Sequence, residues 1–597
     1  MRNLIAFLLL LPLALFAAEL GSKENPLTIE SVGDLVKFRN AVNDSGLYKG
    51  VKLANGAEGL FFKLEADLDL KELCGASIGN WEPIGPFEGN FDGANHKISN
   101  FYYDDALTPL SRDASFFRTV FNNTKDTLVF ENVEFENAYI HLSKSSNGFG
   151  FFISQVITGN VLVRNVKIDL HAIMEAETSA STGYSAGAIM VNTLGSWTGF
   201  YNNEITGTFE FSNGGLYAGG IVGTAVGPTS FVDNTVNVNF ILKKSKNPNV
   251  GGLAGTILSD YTMTGNKNYG SIKMDACEGY SFIGGLVGAN PSLVSKKIVS
   301  DNTNYGDITY SSAQGAVGGL YGYISGNSNT TFEKCTNEGG ITVNKLSDKD
   351  LVQVGGIAGI LEVSAVTDLV NNGNITVSGI TGEQDVGGIA GYVRPGVSSV
   401  TLINSTNNGN ILVDGGSGNV NVAGLIGTTA EISYVRLVES ENAGEISVEK
   451  HEGSVVQQKL AAVPEGTMLL GKDDEIPESS SSQPQVSSSS TNNSSSSSSG
   501  DLQSSSSKTI QSSSSTTGIV ANVSRVKFTR SGKSLFVELS LNSKNVEVQV
   551  VDAIGHKISV DVKRYGNILE LQGIPKNGMF VVRVKSGSLD KLFVLRN

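Results

Sequence analysis

A short glycine string returns along most of the chain. It reads YAGGIVG, NVGGLAG, FIGGLVG, AVGGLYG, QVGGIAG, DVGGIAG and NVAGLIG, and the first small residue of each pair is Gly219, Gly251, Gly284, Gly318, Gly355, Gly387 and Ala423. Weaker copies stand at Ala186-Gly187 and Phe149-Gly150. A second string keeps step with the first: Asn268-x-Gly270, Asn304-x-Gly306, Asn337-x-Gly339, Asn371-x-Gly373, Asn407-x-Gly409 and Asn442-x-Gly444, each followed two positions on by an Ile. Two strings in phase over this distance describe one structural unit repeated, and a unit of this length points to a solenoid, propeller or array.

The chemistry of the unit selects among these. It is rich in Val, Ile, Thr, Asn and Gly and has no sustained apolar stripe of period 3.6, which excludes helical repeats. Composition agrees: Gly is 70 of 597 residues, where ~7% is usual, and charged residues are only 17%. One unit of short strands cannot bury its apolar face, but a stack of units can. Like strands stacked coil on coil give parallel sheets with right-handed crossovers. The expected body is therefore an all-β, right-handed parallel β-helix or solenoid of about ten coils rising ~4.8 Å each. Asn-x-Gly is expected to supply the tight corner, since both residues tolerate positive φ, and the stacked Asn side chains to form an amide ladder. Val250, Ile283, Val317, Val354, Val386 and Val422 should align as one apolar column, and Leu253, Leu286, Leu320, Ile357, Ile389 and Leu425 as another. Which column faces inward is left open.

On these residues the body resembles the GLUG-motif repeat family. The segment WEPIGPFEGNFDGANHKISNF (residues 81–101) is similar to the stretch that introduces such solenoids, and the resemblance covers about residues 26–448. Upstream, Val32, Leu35, Phe38 and Val42 have helical spacing, which predicts a helix that caps the open end of the stack. The resemblance implies the solenoid fold and, for function, only a group of surface proteins, adhesins and protease accessory regions.

The ends of the chain add destination. Arg2 followed by an apolar run to Phe16 and then Ala17-Ala18 reads as a secretory signal peptide, residues 1–18. The run is too short to span a bilayer comfortably, and the mature protein is expected to carry no transmembrane segment. Residues 19–113 read as N-terminal cap and first coils, and 114–460 as the repeat solenoid. Residues 461–518 read as a disordered Ser-rich linker, with five serine runs holding 22 serines between Ser479 and Ser515. Residues 519–597 hold 13 Lys+Arg against 6 Asp+Glu, so this part carries +7 and the rest −14 − 7 = −21. Its alternating strands around Asp552–Gly555 and Pro575–Gly578 suit a small β-sandwich. The order Val-x-Val-x-Asp-x-x-Gly, Leu-x-Gly-Ile-Pro and terminal Lys591-Leu592-Phe593-Val594 resembles a type IX secretion C-terminal sorting domain, with Lys576-Asn577 lengthening the usual turn by a residue. That resemblance implies a type IX translocon as partner and an extracellular or outer-membrane location. An ordinary Ig-like accessory domain is the other reading.

Chemistry is sparse. Cys74, Cys277 and Cys335 show no Cys-x-x-Cys spacing and read as buried small side chains. The histidines His96, His141, His171, His451 and His556 lack ligand spacing, and no His-Glu-x-x-His occurs. Asp92 in FDG reads as a turn former. No catalytic residue, metal site or cofactor is expected, and the acidic body is a poor nucleic-acid partner. Tyr269 and Tyr305 occupy the same x of Asn-x-Gly in consecutive coils and should stack. With Tyr310 and Tyr323 they are the candidate ligand-binding residues, aromatic groups among amides being suited to sugars; plain cross-coil stabilisation is the alternative role. The leading expectation is a secreted, non-catalytic surface solenoid for adhesion or glycan binding. A polysaccharide lyase or hydrolase on a β-helix, or a passive surface-layer scaffold, stand beside it.

Overall fold

The computed structural model describes residues 18–474, apart from 108–113, 144–147, 176–182, 293–294, 328, 345–350 and 395–398, together with eight strands between residues 526 and 596. Except for Ala18, the signal segment lies outside these residues, as do all five serine runs. The chain divides into two units, Met1–Ile476 and Pro477–Asn597.

The first unit is a parallel β-solenoid of about 12 turns. One coil shows the plan. Val287–Asn290 forms one side and Lys297–Ser300 the next; then come the short Thr303–Asn304 and the long Ile308–Gly318. Strands of the first kind stack into a ten-stranded sheet running from Phe117–Val120 to Ile426–Thr429. The apolar columns lie in register as the spacing predicts: Val250 pairs with Ile283, Ile283 with Val317, Val317 with Val354, Val354 with Val386 and Val386 with Val422. The second column is joined by backbone bonds from Leu253 to Leu286, Leu320, Ile357, Ile389 and Leu425 in turn. Both columns are 0% exposed, so both face the interior. The Gly-Gly pair between them turns the chain, and residues three apart, which would point oppositely in a straight strand, converge on one core. The register also shifts one weaker copy: Ala186 pairs with Ala218, so Gly187, not Ala186, matches Gly219.

The amide ladder is present. Asn268 donates to Asn304, Asn304 to Asn337, Asn337 to Asn371, Asn371 to Asn407 and Asn407 to Asn442 at 2.7–2.9 Å. The proposed corner geometry is not. None of these asparagines or of the glycines two positions on enters the left-handed region. Glycine is required there because a Cβ would strike the preceding coil: on Gly373 it would lie 1.9 Å from the carbonyl oxygen of Gly339. The left-handed corner is a few residues earlier, at Asn132, Asn165, Asn202, Asp233, Gly265, Asp301, Lys334, Asp368, Asn404 and Glu439, all with φ between +47° and +70°. It is followed directly by a second internal ladder, Asn203–Asn234–Asn266–Asn302, each bond 2.9 Å.

The predicted capping helix spans Val32–Asn43, with Ser31 Oγ accepting from the Asp34 N–H and Leu35, Phe38 and Val42 buried. The edge strand Leu27–Ile29 is shielded on its outer side by Tyr48 and Lys49, which bond the Thr28 carbonyl at 2.6 Å and its hydroxyl at 2.7 Å. This blunts an edge that would otherwise be free to pair. At the far end Met468–Leu470 still pairs with the coil beneath through Tyr434. The solenoid therefore runs on past residue 460, where the linker was expected to start.

The second unit has two four-stranded antiparallel sheets, consistent with a small β-sandwich. The hairpin around Asp552–Gly555 forms as expected, Glu547–Asp552 pairing with Lys557–Ile558. The strands flanking Pro575–Gly578 do not pair with each other. Ile568–Gln572 belongs to one sheet and Met579–Ser586 to the other, so that connection crosses between sheets.

Candidate functional site

The four tyrosines separate. Tyr269 and Tyr305 stack as the spacing predicts, with ring centroids 4.7 Å apart and planes 2° from parallel. They are 46% and 42% exposed. Tyr310 and Tyr323 are not surface residues. Tyr310 is 0% exposed and donates to the Gln314 carbonyl. Tyr323 is 5% exposed, donates to the Glu362 carboxylate, and lies under the Arg394 guanidinium. The reason is local. Tyr310 follows Ile308 at period two along one strand and so points inward with it, whereas Tyr323 packs outside the main core against Phe282, Ala289 and Ile360. That external seam also holds Asp385, whose carboxyl is pushed up to about 6 chiefly by burial.

The exposed pair belongs to a longer ridge. Asp169 pairs with Thr206 and Thr206 with Asn237. Backbone bonds then carry the same column through Tyr269, Tyr305, Glu338, Asn372 and Asn408. Beside it on the same outward face runs Tyr102–Tyr139–His171–Thr208–Asn239, again in register. Tyr102 and Tyr139 stack at 5.2 Å, and His171 meets the Tyr139 ring edge-on at 5.6 Å.

Beside the first aromatic group, on the side towards the second, the face is dented. Asn137 takes φ +54°, and the register slips between Ile168 and Leu170, so one strand carries an extra residue. Gly207, at φ +139°, stands where any Cβ would meet the Leu170 carbonyl oxygen at 1.9 Å. The result is a depression of about 300 Å³ lined by Asn137, Asp169, His171, Gly207, Thr208 and Glu210. His171 Nε2 lies 3.3 Å from Glu210 Oε1.

The sequence reading missed Tyr102, Tyr139 and the role of His171. Their separations are close to one repeat, but the glycine strings that fix register are weak or absent there. Among the described residues no group of His, Cys, Asp and Glu is arranged to hold a metal ion. The three cysteines are buried, as expected. The Asp92 carboxylate accepts from the Ala94 N–H at 2.8 Å, the turn role read for it.

No protein-family profile matches the chain. A protein of Evansella cellulosilytica called "Putative Gly-rich membrane protein" is 34% identical over 93 residues, 15% of this chain and 9% of that protein. The chain thus spans under a tenth of that relative's length. Among solved structures, one titled a "putative immunoglobulin A1 protease from Bacteroides ovatus" aligns over 54% of this chain and 78% of that one, with 16% identity and a TM-score of 0.31. Among the described residues no helix is long and apolar enough to cross a membrane.

Proposed function

We propose that the chain is a non-catalytic β-solenoid of the cell surface that serves adhesion by binding glycans. The observation that carries this reading is the exposed Tyr269–Tyr305 stack, set in line with Asn237, Glu338, Asn372 and Asn408 on one sheet face. Aromatic rims beside amide and carboxylate groups match the apolar patches and hydroxyls of sugars. Incubating the full chain with insoluble polysaccharides and with whole cells tests it. Retention that Tyr269→Ala/Tyr305→Ala abolishes is expected, and a protein left wholly unbound overturns the reading.

The basic C-terminal unit is the export signal in this reading, taken to the surface by a type IX translocon after Sec-dependent passage of the inner membrane. Deleting residues 519–597 is expected to strand the protein in the periplasm, and unchanged surface display refutes the assignment. A second reading, a polysaccharide hydrolase, is favoured by one observation: Asp169, His171 and Glu210 share the depression. Release of reducing ends from polysaccharide by the purified chain, lost in Glu210→Gln, would replace the non-catalytic reading with this one.

A further inference from the structure

We propose that the dented face is a track for one neutral, linear polysaccharide lying along the solenoid axis, gripped at two aromatic anchors. This rests on the glycan-binding reading and extends it to the geometry and class of the ligand.

The first anchor is Tyr102–Tyr139–His171 and the second is Tyr269–Tyr305. They stand in adjacent outward columns of one sheet, two residues apart along each strand, which is about 6.6 Å sideways. From Tyr139 to the Tyr269 coil the register steps through His171, Thr208 and Asn239, four coils or about 19 Å along the axis. A monosaccharide or disaccharide cannot touch both anchors, whereas an extended chain can. The rise of ~4.8 Å per coil is close to the length of one extended pyranose, so each coil meets about one sugar.

What lies between the anchors fits such an occupant. Thr206, Thr208, Asn237 and Asn239 present a hydroxyl or an amide on successive coils. Gly207 keeps the floor of the depression clear of a side chain, and its backbone conformation is one that other residues avoid. Charge sets the class. Asp169, Asp307 and Glu338 lie in the two columns with Glu210 beside them, and residues 1–518 carry −14 − 7 = −21. A polyanion is repelled by such a surface, while neutral hydroxyls find acceptors in the carboxylates and both donors and acceptors in the amides.

The test is affinity electrophoresis of the full chain in gels containing mixed-linkage β-glucan, together with binding to short and long oligosaccharides of the same glucan. Tyr102→Ala/Tyr139→Ala and Tyr269→Ala/Tyr305→Ala are each expected to weaken retention by roughly tenfold. Long oligosaccharides should bind markedly better than those too short to span the anchors. Thr208→Arg fills the depression beside His171 while leaving both tyrosine pairs intact, and is expected to weaken long-chain binding more than short-chain binding. Its melting temperature and those of the tyrosine variants, measured alongside, separate lost binding from lost folding. If only one tyrosine pair matters, or if short and long oligosaccharides bind equally, the track is overturned while glycan binding stands. If a polyanionic polysaccharide is retained and the neutral one is not, the ligand class is overturned. If the wild-type chain is retained by no polysaccharide, the glycan reading falls with it.

Discussion

Gly319 and Asn337 press against each other inside one coil: a Cβ on Gly319 would stand 2.3 Å from Asn337 Cγ and 2.1 Å from the Gly356 carbonyl oxygen of the next coil. The contact recurs at Gly285 with Asn304, Gly356 with Asn371 and Gly388 with Asn407, each at 2.3 Å. It explains why the two sequence strings stay in phase. The second glycine of one string is the space into which the asparagine of the other fits.

Gly319→Ala is therefore expected to destabilise strongly, because the atoms it meets are backbone and a ladder amide with bonds on both sides. Asn337→Ala loses the bonds to Asn304 and Asn371 and leaves buried amide groups unpaired, a cost of about 3 kcal/mol. Thermal unfolding of each variant followed by far-ultraviolet circular dichroism measures this. If Gly319→Ala melts like wild type, the packing account is wrong.

Most of the architecture was legible because it is periodic. The Val250 and Leu253 columns, the outer amide ladder, the cap helix and the Tyr269–Tyr305 stack all follow from spacing alone. What spacing does not carry is direction at a turn. Both apolar columns face inward because the Gly-Gly pair reorients the chain, and no count of residues reveals that. The left-handed corner was hidden for a related reason. It is filled by Asn, Asp, Gly, Lys and Glu in different coils, so no identity repeats. The Tyr102–Tyr139–His171 column could not be read because register there is set by a bulge.

That mixed corner column yields a second prediction. Lys334, at φ +52°, and Glu439, at φ +49°, occupy a conformation that disfavours side chains other than Asn and Asp. Lys334→Asn is expected to raise the stability of the solenoid by about 0.5–1 kcal/mol. Its ion pair with Glu333 is long, 3.8 Å, and exposed, so its loss offsets little. An unchanged or lowered melting temperature would count against the corner assignment.

Lys297 is buried in register with Tyr261 inside the solenoid, its ammonium donating to the carbonyls of Ser292 and Ser325. Burial pulls its pKa down to about 8, against the partial support of Asp260 and Glu362. Between pH 8 and the unfolded value near 10.4 the unfolded chain binds more protons than the folded one, so stability rises with pH across that window. Below pH 8 the full penalty, about 3 kcal/mol, is present. Comparing wild type with Lys297→Met should show the wild-type chain gaining on the variant between pH 8 and pH 10. A difference independent of pH would refute the assignment of a strained buried amine.

Asp385 carries the opposite slope. It is 2% exposed in the external seam, with Asn421 donating to it at 3.0 Å and Glu383 adding repulsion. Burial is the largest cause of its rise from 3.8 to about 6. Between those values the folded state holds more protons than the unfolded state, so stability falls as pH climbs from 4 to 6. Above pH 6 the chain bears the whole cost, about 2–3 kcal/mol. Asp385→Asn removes the titrating group, keeps an acceptor oxygen for Asn421, and leaves an amide that must find its own partner. The expected result is a higher melting temperature than wild type at pH 7, and a difference that shrinks as the pH is lowered through 6 towards 4. A variant less stable than wild type at pH 7 would mean that the charged carboxylate is needed in the seam, which the burial of Tyr323, Gln353 and Asp385 together argues against.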